Sequence, residues 1–315
     1  MDAEQGGARL SEGAGRMLVA GSAVLFSLSG AGIKLCAFGP WQLGGFRAGI
    51  AGLTLWLLLP AARARWQWRL APTALAIAAM HILFVWGNKT TTAANTIFIQ
   101  SGSPLLVVLL APLVLRERLR ARDLAVAAAC TAGLALFFLA PDRATLRSPA
   151  IGLGNRLAAA AGVAWAIAIL GLRANRGRGA ETAIVAGNAL ACLGCLPPLL
   201  AGTAGAGFVA GGARDWLVLL GLGTVQSGLA YALYVRGLRV VPAAQASLIG
   251  LVEPVLNPLW VFLLFREERP APLSLLGGAV ILAATAYALL TPSAVRTSSG
   301  SSGAGYRPGR RGSRP

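Results

Sequence analysis

Very few ionisable groups lie inside the long apolar blocks of this 315-residue chain, and those few limit the chemistry it can do. Glu253 is the one carboxylate deep within such a block. A charge at the centre of an apolar helix costs about 2.5–3.5 kcal/mol on insertion scales, so such groups face a bundle interior or a wet cavity. Glu253 reads either as a proton-binding or amine-binding group, or as a structural carboxylate hydrogen-bonded between helices. Asn257 follows one helical turn later on the same face. Pro254 and Pro258 donate no backbone hydrogen bond, which is expected to leave the carbonyls of Gly250 and Pro254 without their usual helical partners. Such openings persist in membranes where neighbours or cavity water replace the lost bonds. About 150 residues earlier a second polar face carries Thr96, Gln100 and Ser103, with Pro104 placed to free the carbonyl of Gln100. Two kinked helices with matching polar faces suit a midplane binding site; a plain packing kink is the competing account.

The remaining intramembrane candidates each have two readings. Arg47 ties two helices together or contacts substrate. Lys34 snorkels to the interface or attracts a substrate carboxylate. His81 offers a proton-exchanging imidazole or makes a single interhelical hydrogen bond. Tyr231, Tyr234, Trp86 and Trp165 line a cavity with aromatic surface or anchor the helices at the interface, although Trp165 lies too deep for an anchor. Cys192-Leu-Gly-Cys195 has the spacing of a redox or zinc motif, but its neighbours are apolar and the chain holds a single histidine, so no metal centre is expected. No GxxxxGK[ST] loop is present to cradle ATP. The 11 acidic residues lie mostly in loops and termini. The paired acids or His/Asp sets that a lipid-modifying or prenyl-modifying enzyme would use are missing. Neither enzymatic activity nor a cofactor is expected.

The elements that must hold these residues are membrane spans. Hydrophobic residues make up 56% of the chain, charged ones 12%, and the mean hydropathy is +0.67. A soluble domain carries about 25% charged residues. Windows long enough to cross hydrocarbon fall at 17–37, 41–60, 70–88, 92–114, 124–140, 153–172, 181–203, 215–235, 242–264 and 272–290. The block from Met17 is too long for a signal-peptide core and another span follows it at once. The net charge of +17 does not point to nucleic acid, because the basic residues sit in short clusters between apolar blocks. Nineteen of the 28 fall in segments that are inside if the N-terminus is cytoplasmic, and seven fall outside. That bias predicts both termini on the cytoplasmic side of a multi-pass inner-membrane protein. Heavy use of arginine over lysine fits a GC-rich bacterial genome. Ala158, Gly162 and Ala166 give the sixth span a small-residue face for close packing. The Ser/Gly/Arg/Pro-rich tail, 291–315, has too little apolar content to order itself.

Shifting the chain by 150 residues lays Ser103-Pro104 over Glu253-Pro254, Arg116-Glu117 over Arg266-Glu267, and His81 over Tyr231. A weaker match at a shift of 139 lays Phe26 over Trp165 and Lys34 over Arg173. These matches predict an N-terminal segment (1–16), a first five-helix repeat (17–140), an outer linker (141–152), a second repeat (153–290) and the tail. An odd number of spans per repeat gives the halves opposite polarity about an axis in the membrane plane. Such halves can open alternately around a midplane site.

Ten helices as five plus five, termini inside, and Glu253-Pro254 followed by Arg266-Glu267 at a helix exit resemble the drug/metabolite transporter superfamily, in particular its EamA-type exporters. The resemblance spans roughly 17–290. It implies a central cavity between the repeats, lined mainly by the first, third, fourth, sixth, eighth and ninth spans. It also implies export of amino acids or other small metabolites, coupled to protons or an exchanged solute. The first-repeat partner of Glu253 is Ser103, so acid-based coupling would rest on one repeat. A non-transporting receptor or scaffold, or a membrane enzyme, would need neither repeated halves nor paired prolines.

Overall fold

The fold is taken from a computed structural model that describes residues 10–91, 93–117, 121–138, 150–201, 208–264 and 272–290. Blocks that are apolar on every face cannot leave backbone groups unpaired in hydrocarbon, and the helix pairs them internally. Fourteen helices result: α1 (Glu12–Phe26), α2 (Ser29–Leu35), α3 (Pro40–Leu58), α4 (Ala71–Thr90), α5 (Ala93–Gln100), α6 (Ser103–Leu115), α7 (Ala121–Phe138), α8 (Ile151–Ala174), α9 (Ala180–Leu200), α10 (Ala213–Gly221), α11 (Ala230–Gly237), α12 (Ala243–Ile249), α13 (Val252–Leu264) and α14 (Pro272–Leu290). A π-helical segment, Leu222–Leu229, joins α10 to α11. No strand occurs among the described residues.

Among the described residues seven helical stretches are long and apolar enough to cross a membrane: Glu12–Leu35, Trp68–Thr90, Asn95–Leu115, Ile151–Ala174, Ala180–Leu200, Ala213–Gly237 and Ala243–Leu264. Helices α3, α7 and α14, of 19, 18 and 19 residues, pack in the same bundle. The first stretch begins at Glu12, earlier than the expected residue 17. Ser11 Oγ accepts the Ala14 N–H at 3.1 Å, and Glu12 pairs with Arg16 at 2.7 Å, so polar residues extend the helix backwards.

Three stretches are interrupted. The chain turns at Ser101-Gly102 and again at Gly250-Leu251, in each case shortly before a proline. Pro104 thereby sits in the first turn of α6, where its missing N–H has no partner to lose. The carbonyl of Gly250 is not left open, contrary to the expectation from Pro254: it accepts the Glu253 N–H at 2.9 Å. The third break, at Ser27-Leu28, carries no proline. Trp260 of α13 donates to Ser27 Oγ at 2.8 Å there.

Packing joins distant parts of the chain. Helix α4 lies against α8 and α9, α3 against α9 and the π-helical segment, α1 against α11, and α7 against α14. Small residues allow these approaches: a Cβ on Gly187 would come within 2.8 Å of the Ala74 carbonyl, and one on Gly133 within 2.9 Å of the Gly277 carbonyl. Leu109, Leu113, Leu193 and Leu263 point outward, as a lipid-facing surface requires.

Several arginines outside the apolar stretches fasten the helix ends. Arg116 leaves α6 with φ +54°, and Glu117 then accepts Arg173 Nε at 2.6 Å and the Ala243 N–H at the start of α12 at 3.1 Å. Arg173 Nη1 donates to the Leu238 carbonyl at 2.6 Å. Glu181, buried at the start of α9, pairs with Arg239. Arg266-Glu267, the segment 139–149 and the tail from 291 lie outside the described residues.

Candidate functional site

Two adjoining voids lie between the helices, each about 40 Å³ in volume. Both are narrow. The walls they share are Phe26 of α1, Gln100 of α5, Trp165 of α8 and Glu253 of α13. The first void adds Ser103 and Pro104 of α6, Tyr234 of α11, and Pro254 of α13. The second adds Arg47 of α3, His81 of α4, Gln226 and Ser227 of the π-helical segment, and Tyr231.

The helix breaks position the polar groups. Because α5 stops at Gln100 and α13 starts at Val252, the side chains of Gln100, Ser103 and Glu253 reach one space from two interrupted helices. The Glu253 carboxylate makes no hydrogen bond or ion pair with a described residue. Arg47 is fully engaged on one side: Nη1 donates to Gln226 Oε1 at 3.2 Å, and Nη2 lies 2.9 Å from His81 Nδ1. A guanidinium only donates, so Nδ1 is the acceptor and the imidazole proton sits on Nε2. That Nε2, Arg47 Nε and the Tyr234 hydroxyl are buried without a partner. Buried polar atoms are nearly always paired, so three orphans at two adjoining voids, Tyr234 at the first and Arg47 and His81 at the second, mark a place where a polar ligand or water completes the bonding.

Aromatic rings form the rest of the wall. Phe26 lies 4.9 Å from Tyr231, 6.2 Å from Trp165 and 6.4 Å from Tyr234, centroid to centroid, all edge-on. Trp165 stands 5.5 Å from Tyr234, and His81 stands 5.5 Å from Tyr231. Two of these contacts join positions matched by the sequence shifts: Phe26 with Trp165, and His81 with Tyr231.

The structure therefore gathers Glu253, Gln100, Ser103, Trp165, His81, Tyr231, Tyr234 and Arg47, together with Pro104 and Pro254, around the centre. Three candidates stand apart from it. Asn257 is fully buried one turn beyond Glu253, where Nδ2 donates to Ser29 Oγ at 3.3 Å and the side chain packs against Gly30. Pro258 lies in the next part of α13, away from both voids. Lys34 occupies the last turn of α2, where a cation complements the helix dipole. Gln226 and Ser227 were missed from the sequence. The polar run Gln226-Ser227 inside an apolar span was the available signal, and a π-helical turn at that point re-aims both side chains. Among the described residues no cluster of histidine, cysteine and carboxylate could hold a metal.

A crystal structure shares this fold with a TM-score of 0.72 and 19% identity, over 88% of this chain and 97% of that one. An uncharacterized protein of Pseudomonas aeruginosa is 31% identical over 230 residues, covering 71% of this chain and 76% of its own length. The profile of the EamA-like transporter family matches twice in succession, at residues 13–139 and again at 152–290. With nearly the whole chain accounted for by those two matches, the protein belongs to the EamA-like transporter family, a family of multi-pass membrane transporters.

Proposed function

We propose that the protein is a secondary carrier that exports amino acids or other small metabolites across the cytoplasmic membrane by alternating access. In this reading α3, α7 and α14 complete ten crossings, arranged as two inverted five-helix halves with both termini inside. The observation that supports it is the meeting of residues matched by the sequence shifts: Phe26 with Trp165 beside the void that also receives Ser103 and Glu253, and His81 with Tyr231 beside the adjoining one. Two halves that touch through their own equivalents can exchange roles about that axis, opening one face while closing the other.

The chemistry of the wall supports a small polar solute. A carboxylate that accepts no hydrogen bond from a described residue and a guanidinium with an unpaired Nε face the same space, so the site offers both an acceptor and donors. The aromatic ring around them supplies apolar contact on the remaining sides. Glu253 serves as the coupling group, taking up a proton or a substrate amine. Uptake into proteoliposomes, screened with amino acids, nucleosides and sugars under an imposed pH gradient, tests the reading. Substrate-dependent flux that Glu253→Gln uncouples from the gradient is the expected result. Proton dependence unchanged in that variant would remove the coupling role, and flux absent for every solute class would remove the carrier itself.

A further inference from the structure

A second cleft lies away from the central site, at the ends of the helices. It is open, has an empty volume of about 1050 Å³, and is lined by Ala61, Ala64 and Gln67 after α3, the turn Arg176–Gly179 between α8 and α9, Glu181, and Arg239. Gly177 and Gly179 hold this turn in left-handed conformations, with φ of +67° and +106°. The guanidiniums of Arg176 and Arg239 are about half exposed, and Arg178 is exposed. The local charge does not balance. Glu181 is taken by Arg239, and Glu117 is shared by Arg173 at 2.6 Å and Arg176 at 3.8 Å. Arg69 joins the group through a 2.7 Å bond to the Arg178 carbonyl. Three guanidiniums, Arg176, Arg178 and Arg239, thus line the cleft against one carboxylate, Glu181, with Arg69, Arg173 and Glu117 behind them, in a concave site roomy enough for a phosphate group.

The depth of the cleft argues for a lipid rather than a soluble anion. Trp66 and Trp68 stand exposed on the same connection as Gln67, with ring centroids 6.2 Å apart, as aromatic anchors do at the headgroup level. The last turn of α3, which leads into the cleft, exposes Trp56, Leu57 and Leu58 as an apolar surface for acyl chains. By the distribution of basic residues this is the cytoplasmic face, where basic pockets between helices meet anionic headgroups. We propose that the cleft formed by Arg176, Arg178 and Arg239 is a binding site for the phosphate headgroup of an anionic phospholipid. Since the α3–α4 connection comes from one family-profile match and the other lining residues from the second, a bound lipid would bridge them.

The test is native mass spectrometry of the full chain released from vesicles of phosphatidylcholine doped with phosphatidylglycerol. The protein should retain phosphatidylglycerol in preference to phosphatidylcholine. An arginine near an anionic surface is worth roughly a factor of five in partitioning, so R176Q/R178Q should lower that preference by roughly 25-fold. Arg65→Gln removes an exposed charge from the same connection without touching the cleft wall and should leave the preference intact. Equal retention of both lipids by the wild-type chain, or an equal loss in Arg65→Gln, would overturn the proposal. So would displacement of the lipid by millimolar inorganic phosphate, which would make the cleft a soluble-anion site. None of these readouts depends on transport, so they stand or fall separately from the central site.

Discussion

The two interrupted helices, α5–α6 and α12–α13, share their mechanics and differ in their chemistry. Both turn just before a proline, both resume within three residues, and both send polar side chains to the central void. Yet Ser103 faces Glu253, Val107 faces Asn257, and Gln100 faces Gly250 across the 150-residue shift. Breaking a helix requires only a proline and a small residue, so duplication can preserve it cheaply. A charge that must be desolvated at the membrane centre is a different burden, about 2.5–3.5 kcal/mol for each copy. The molecule carries one such carboxylate, not two. The break is repeated and the charge is not.

The largest expected effect tests that asymmetry. Hydrogen bonds to a charged group are worth about 1.5–3 kcal/mol, so Glu253→Gln should weaken substrate binding or gradient-driven flux roughly 10–100-fold. Ser103→Ala should change flux by no more than a few fold, because a hydroxyl bond is worth about 1 kcal/mol. Comparable losses from the two variants in proteoliposome transport would show that the halves contribute equally. The exchange S103E/E253S sharpens the comparison further. It moves the carboxylate to its equivalent position on the opposite side of the same void, and partial recovery of flux relative to Glu253→Ser is expected. No recovery would mean that Arg47 and His81, which have no charged counterparts in the second half, fix the acid to one side.

Much of this arrangement could be read in the sequence, for identifiable reasons. Proline acts locally, so an irregularity near Pro104 and Pro254 was legible, but the sequence pointed to kinks within continuous spans and not to the turns at Ser101-Gly102 and Gly250-Leu251. Membrane burial made Glu253, Arg47 and His81 stand out because polar residues are rare there. The bonding between them was not legible. Arg47 meets His81 from 34 positions away and Gln226 from 179, and no local pattern announces either contact. Gln226 and Ser227 escaped because a 3.6-residue period cannot describe a π-helical segment. Asn257 keeps the face of Glu253 but lies one turn farther along α13, where Ser29 of α2 receives it before the void does. The break in α1–α2 had no proline to signal it; α8, the matching 24-residue helix, runs unbroken.

A middle-sized effect belongs to the junction at Glu117. Its carboxylate bonds Arg173 and caps the start of α12, so it ties α6 to two elements far along the chain. Breaking a buried ion pair from one side costs about 3–5 kcal/mol, and the residual exposure of Glu117 (17%) and Arg173 (8%) should reduce this to roughly 1–3 kcal/mol. Glu117→Gln should therefore lower the thermal midpoint in detergent while leaving substrate affinity at the central site unchanged. Arg63→Gln, which removes an exposed guanidinium bonded at 3.2 Å to the Trp56 carbonyl seven residues away, should shift the midpoint less. A larger shift from Arg63→Gln would mean that the inter-helix junction does little to hold the bundle.

The smallest effect is expected at Asn257, and it separates position from chemistry. Asn257→Val installs the residue found at the matching place in α6, Val107, with a similar shape. The change gives up the 3.3 Å bond to Ser29, worth about 1 kcal/mol, but it also removes Oδ1, a buried acceptor with no partner. An unsatisfied buried acceptor carries a desolvation penalty of about 1–3 kcal/mol, so the two terms oppose each other. Stability should stay within about 1 kcal/mol of wild type in either direction, and flux should be unaltered because the side chain does not reach the void. Packing sets a limit: Gly30 presses its backbone against this side chain, so a bulkier replacement such as Asn257→Leu should destabilise where valine does not. A strong loss of flux in Asn257→Val at unchanged stability would place this residue in contact with substrate during the transport cycle. The chemical difference between the two broken helices would then extend a full turn beyond Glu253.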